Sequence, residues 1–177
     1  MHSGDHDLES AADGLRRLAD LLLRVDTDDP ALVSVAEQLD RITALIVTSG
    51  VTAGEQDPVS GRGNAIAPPL DLEVDNGTAS ATGVLGLVHQ GPKGLVHGGM
   101  SALTLSHVLS IAGAVDGKPT AVQELSVRYH RPTPLFTELH ISGSLTDPAG
   151  RQASGAIEVD GVTTVSAEVR LALPPQP

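Results

Sequence analysis

A chain of 177 residues can form one domain with an appendage and bury a real hydrophobic core, but it is too short for two full domains. Tyr129 and Phe136 are its only aromatics, so the core must be aliphatic and no platform exists for stacking bases, while a net charge of −11 lacks the clustered cations that nucleic acid or an anionic membrane surface requires. With no cysteine there can be no disulfide framework, thiolate metal site or Cys nucleophile.

The acidity is uneven: residues 1–57 hold 12 acids against 4 Arg, and residues 58–177 hold 10 acids against 7 Lys or Arg. The start, MHSGDHDLES, is polar where a signal peptide would be basic and then apolar, and no 18-residue apolar run occurs, so a soluble cytoplasmic protein is expected. Ser10 to Asp13 reads as a capping box, followed by Leu15, Leu18 and Leu22 on one helical face. Asp29-Pro30 opens a second helix carrying Val33, Ala36, Ile42 and Ile46. Residues 1–60 are therefore expected to be a helical hairpin and linker, the linker being the Gly- and Pro-rich stretch from Gly50 to Pro69.

Leu70 to Asp75 alternates apolar and acidic residues as a half-exposed strand, Asn76-Gly77 supplies a two-residue turn, and a return strand runs from Thr78 to about Leu85. After a loop from His89 to Val96, residues 98–114 carry Met100, Leu103, Leu105, Val108, Leu109 and Ile111 in nearly every direction, as a helix buried all round would. Four strand-like runs follow at roughly 120–130, 136–146, 152–159 and 162–173, separated by Pro132 to Pro134, Asp147 to Gly150 and Asp160-Gly161. Within the first of them Leu125, Val127 and Tyr129 alternate as a core-facing row, with Glu124, Ser126 and Arg128 on the other face. One buried helix and six antiparallel strands satisfy each other when the sheet curls around the helix, so residues 61–177 are expected to be an α+β domain of this kind.

Gly91-Pro-Lys-Gly-Leu-Val-His-Gly-Gly-Met100 resembles the loop and HGG turn that enter the central helix of hotdog-fold acyl-CoA thioesterases of the phenylacetate-pathway type. Leu125-Ser-Val-Arg-Tyr-His-Arg-Pro-Thr-Pro-Leu135 is similar to that family's strand and Pro corner. The likeness spans about 110 residues. It implies a hotdog fold, hydrolysis of acyl-CoA or acyl-carrier thioesters without metal or redox cofactor, and a homodimer or dimer of dimers with sites at the interface. CoA then enters only as part of the substrate. The fold also hosts dehydratases and non-enzymatic relatives, so function must be argued from the site.

Two glycines opening a helix expose backbone N–H groups at the positive end of its dipole, so Gly98 and Gly99 can receive a thioester carbonyl and the oxyanion it becomes. His97 can hold this turn and touch the substrate. In the family resembled, a catalytic carboxylate lies nine residues after that histidine; here the position is Ser106, on the helix face of Gly99. A hydroxyl becomes a nucleophile only beside a base, and His107, the nearest imidazole, diverges from it by about 100° around the helix. Gln90, Lys93, Arg128 and Arg131 are candidate substrate contacts, the cations being able to pair with CoA phosphates. Three readings follow: a thioester hydrolase with an atypical catalytic position, a non-catalytic acyl-thioester or small-ligand binding protein, and an assembly module using the helical hairpin.

Overall fold

The computed structural model describes residues 3–50, 57, 59–147, 149 and 151–172. Residues 51–56 and 58 of the expected linker, part of the Asp147 to Gly150 turn and residue 173 lie outside the described residues.

The first helix, α1, spans Ser3–Leu22. It begins well before the capping box read at Ser10, which lies inside it; nothing between Ser3 and Ser10 breaks a helix, and acidic Asp7 and Glu9 suit its positive end. Asp13 instead pairs with Arg16 one turn on, at 2.6 Å. Helix α2 covers Ala31–Thr48, and the Asp29 carboxylate accepts from the Ala31 N–H at 2.9 Å as the start signal requires. Leu32, Val35 and Leu39 are half-buried, but no residue of α2 is fully buried and Val33, Ile42, Leu45, Ile46 and Val47 are exposed.

Six strands follow: β1 Leu70–Asp75, β2 Thr78–Val84, β3 Val122–Tyr129, β4 Glu138–Leu145, β5 Gln152–Val159 and β6 Val162–Leu171. They form one antiparallel sheet in the order β1-β2-β4-β5-β6-β3. The tight turn between β5 and β6 depends on Asp160 and Gly161, both at positive φ (51° and 73°), which brings Val159 opposite Val162. Between β2 and β3 lie a single 3-10 turn at Leu87–His89 and the central helix α3, Gly98–Ala112. Helix α3 touches all six strands, and Leu105, Val108 and Leu109 on its inner side meet Leu139, Ile141, Ile157 and Val165 of the sheet. This is the hotdog arrangement expected above.

Two expectations about burial need correction. Helix α3 is not enclosed all round: Leu103 is 43% exposed, because the sheet covers one side of the helix and the Leu103, Ser106, Ser110 side is left partly open. In β3 only Val127 of the expected row packs on the core, while Leu125 and Tyr129 are exposed, since β3 is an edge strand with sheet on one flank only.

Helix α1 is bound to the domain by polar groups. Arg16 donates to the carbonyls of Arg62 and Asn64 at 3.0 and 2.6 Å and to Ala67 at 3.3 Å, Ala12 is buried, and Asp20 accepts from the Leu87 N–H at 2.6 Å. Hydrogen bonds to charged groups contribute about 1.5–3 kcal/mol each at best. Removal of residues 1–60 is therefore expected to leave the sheet and α3 folded but to lower the thermal midpoint by several degrees; failure of the truncated chain to fold would put both parts in one cooperative core.

Candidate active site at the head of the central helix

The loop before α3 is held in place by backbone bonds to the corner after β3. Val96 N–H donates to Thr133 at 2.9 Å, Leu135 N–H to Gly94 at 3.0 Å, and His97 N–H to His89 at 2.9 Å. Gln90 supports the same loop, its side-chain oxygen accepting from Gly94 N–H at 2.8 Å. Pro132 and Pro134, which donate no hydrogen bond, flank Thr133; its hydroxyl is buried and donates to Thr164 at 2.9 Å. The head of α3 is thus fixed by the protein rather than by a ligand.

His97 is the N-cap, and its Nδ1 accepts from the Gly99 N–H at 3.0 Å. Nδ1 accordingly carries no proton here, and Nε2 is the donor of a neutral ring. Of the two expected oxyanion donors, Gly98 N–H has no protein acceptor among the described residues, whereas Gly99 N–H is occupied by His97. The Tyr129 hydroxyl donates to the Gly98 carbonyl at 2.8 Å, and a Cβ on Gly98 would lie 3.3 Å from that ring. Beside this contact opens a cleft of about 390 Å³, lined by Pro92, Leu95, Gly98, Tyr129, Arg131 and Thr133. A larger groove, about 600 Å³, crosses the sheet at Ser126, Ser154 and Glu168, but no helix N-terminus lines it and it is bordered by the Glu124–Arg170 ion pair. The Gly98 cleft is the better candidate on chemistry.

The structure gathers some of the expected residues and separates others. Gly98 and Arg131 line the cleft, and His97 and Gly99 flank Gly98 in the turn beside it. Lys93 is exposed in the loop, and Arg128 lies on the other face of the sheet beside Ser126 and Ser166, away from Tyr129 as strand alternation demands. Ser106 is half-buried on the open side of α3. His130 is exposed, its Nε2 2.8 Å from Ser166 Oγ.

His107, the nearest imidazole to Ser106, is engaged elsewhere: its Nε2 lies 2.9 Å from Ser60 Oγ and 3.3 Å from an Asp57 oxygen, with only 10% of its side chain exposed. Both partners belong to the stretch preceding the sheet. Asp57 also accepts from the N–H groups of Val59 and Ser60 at 2.8 and 2.7 Å. Burial opposes its charge, but those two N–H groups, His107 and the Ser60 hydroxyl together hold its carboxyl below the usual range. Burial lowers the His107 pKa, and Asp57 opposes this without reversing it, so the ring is neutral and donates from Nε2. Tyr129, Asp57 and Ser60 were missed as site neighbours; Tyr129 had a signal as the single tyrosine before the Pro corner, whereas the other two sit in aperiodic sequence.

The same shift sets a pH dependence. Burial also lowers the His89 pKa, with Arg16 adding to it. For both rings the folded pKa lies below the unfolded one, so the unfolded chain binds more protons through that window and stability rises with pH. The contribution is complete above about pH 6.5 and is lost as pH falls through the folded pKa values. Thermal midpoints are expected to drop between pH 7.5 and 5.5, and His107→Asn to flatten the drop; an unchanged slope in that variant would mean that the ring titrates alike in the folded and unfolded chain.

The helices, the turn and the cleft can be set beside known proteins. Residues 2–49 match the family model described as hypothetical protein RHA1_ro05818, N-terminal helical domain. Among solved structures, protein RHA08564, a thioesterase superfamily protein, is 40% identical, with a TM-score of 0.84 over 93% of this chain and 94% of that one. A putative thioesterase, phenylacetic acid degradation-related protein from Ralstonia eutropha JMP134 is 19% identical, with a TM-score of 0.53 over 59% of this chain and 84% of its own. A mutant of the phenylacetic acid degradation protein PaaI from Thermus thermophilus is 17% identical, with a TM-score of 0.52 over 58% and 90%. The last two show the shared fold of the sheet and central helix. No curated protein matches the chain. Among the described residues no helix is long and apolar enough to cross a membrane.

Proposed function

The chain belongs to the thioesterase superfamily, and from that premise we propose that it hydrolyses acyl thioesters of CoA or of an acyl carrier at the head of α3. The observation that carries this reading is the Gly98–Gly99 turn, with an N–H at Gly98 that has no acceptor among the described residues, opening onto a cleft rimmed by Tyr129 and Arg131. The substrate carbonyl would take the Gly98 N–H and displace His97 Nδ1 from the Gly99 N–H, which yields two donors for the oxyanion and frees the imidazole lone pair. Water then adds to the carbonyl carbon, giving up a proton to a base, and the tetrahedral intermediate expels the thiolate, which takes a proton and leaves a carboxylic acid. Arg131, with Lys93 nearby in the loop, suits the phosphates of CoA. No metal or redox cofactor has a part in this chemistry.

Ser106 enters such a site only across a subunit boundary. Seven residues of helix separate it from Gly99, about 10.5 Å of rise, too far for both to meet one carbonyl within a single chain. A second α3 running antiparallel along the open Leu103, Ser106, Ser110 side would bring Ser106 of one chain to the helix head of the other, so the working form is a homodimer or a dimer of dimers with two sites per interface. Soluble, cytoplasmic operation is part of the same proposal.

The Ser in place of a carboxylate also supports a second reading, an acyl-thioester binding protein that does not turn over its ligand. Steady-state hydrolysis of an acyl-CoA panel, with dissociation constants measured alongside, separates the two. Turnover that falls in His97→Ala with binding retained upholds the hydrolase; tight binding with only the uncatalysed rate overturns it.

A further inference from the structure

A second concave surface lies between α1 and the domain, about 390 Å³ in volume and apart from the Gly98 cleft. Its walls are largely apolar, with Leu21 of α1 and Pro69, Val84, Val88 and Phe136 of the domain, and the Asp20 carboxylate, bound by Arg24 and the Leu87 N–H, also lines it. Three of the four arginines in the acidic first 57 residues, Arg16, Arg17 and Arg24, converge on it. Arg16 is engaged by Asp13 and the loop carbonyls, and Arg24 is engaged by Asp20 at 2.6 Å and stands over the Phe136 ring at 5.2 Å. Arg17 is exposed and pairs with no carboxylate among the described residues. His89 forms part of the lining, 7% exposed, and its Nδ1 is buried without a hydrogen-bond partner among the described residues. Buried nitrogens are ordinarily paired, and an apolar cleft at a junction of two units with one uncompensated cation at its mouth is the chemistry of a small-molecule site.

We propose that this cleft is a second ligand site, for an amphiphile with a short apolar tail and a single anionic head. The tail lies along Val84, Val88 and Phe136, and the head pairs with Arg17. Two head groups have this chemistry, a carboxylate and a phosphate monoester, since a guanidinium fork accepts either. The site adjoins the thioester turn: the Leu87 N–H is held by Asp20, and the His89 carbonyl holds the His97 N–H at 2.9 Å. The inference does not depend on hydrolysis at Gly98, because it concerns different residues and a different opening.

The test is methyl NMR of the full-length protein titrated with octanoate, octyl phosphate and octanol. Saturable shifts at the Val84 and Val88 methyls are expected with one or both anions, the tighter of the two identifying the head group, and octanol should bind about tenfold more weakly for want of a charge-assisted bond. Arg17→Gln, a change on an exposed side chain, should bring the anion's affinity down to that of octanol, and Val88→Trp should fill the cleft and abolish binding of all three. Four results overturn the proposal: no binding of any probe at millimolar concentration, shifts confined to the Tyr129 and Arg131 cleft, octanol binding as tightly as the anions, or unchanged affinity in Arg17→Gln.

Discussion

Ser106→Asp is expected to raise acyl-CoA hydrolysis by about 10² to 10⁴-fold, the contribution of a positioned general base. The position is half-buried on the open side of α3, where in the proposed dimer a carboxylate would face a partner's helix head rather than the sheet. Its charge would lie near the positive end of the partner's helix dipole in that dimer, which favours the ionised form that can then accept a proton from water. His97→Ala in the same background separates the roles: the carboxylate activates water, and the imidazole occupies the Gly99 N–H that the substrate must take, so the double variant should keep most of the gain. If Ser106→Asp leaves hydrolysis unchanged while acyl-CoA affinity is intact, position 106 is not a base site and the binding-protein reading is the better one. His107→Ala should release Asp57 and Ser60 and lower stability rather than turnover, because its ring is engaged by those two groups.

The second large effect is structural. Gly143 and Gly155 are cross-strand partners in β4 and β5, directly beneath α3. A Cβ at Gly155 would collide with the Ser142 carbonyl oxygen and stand 3.1 Å from Leu109 Cδ2, and the first of these is backbone that cannot rotate away. Gly155→Ala is therefore expected to cost about 3 kcal/mol or more, at the upper end of overpacking, and to depress the thermal midpoint by many degrees. Gly143→Ala meets only side chains, Leu109 Cδ2 at 2.9 Å and Val108 Cγ1 at 3.2 Å, and should cost less. Equal effects at the two positions would show that helix packing rather than strand spacing sets the penalty.

What the amino-acid order determined by itself was local and periodic. Alternation in Leu70–Asp75, the Asp160-Gly161 pair and the glycines at the head of an apolar run place strands, turn and helix head, because each follows from interactions between residues a few positions apart. The Gly98–Gly99 turn was legible for the same reason, together with Arg131 just beyond the strand. Tertiary structure alone decided the rest. Nothing local shows that β3 ends at a sheet edge, so the exposure of Leu125 and Tyr129 could not be read from their alternation. His107 meets Ser60 and Asp57 from 47 and 50 positions away, and Arg16 meets the carbonyls of residues 61–67, contacts that close long loops and leave no periodic trace in the sequence. The occupation of Gly99 N–H by His97 spans only two residues, yet it depends on a rotamer set by how the loop is clamped to the Pro corner. Sequence therefore named the groups at the helix head, and packing determined which of them are already engaged by the protein.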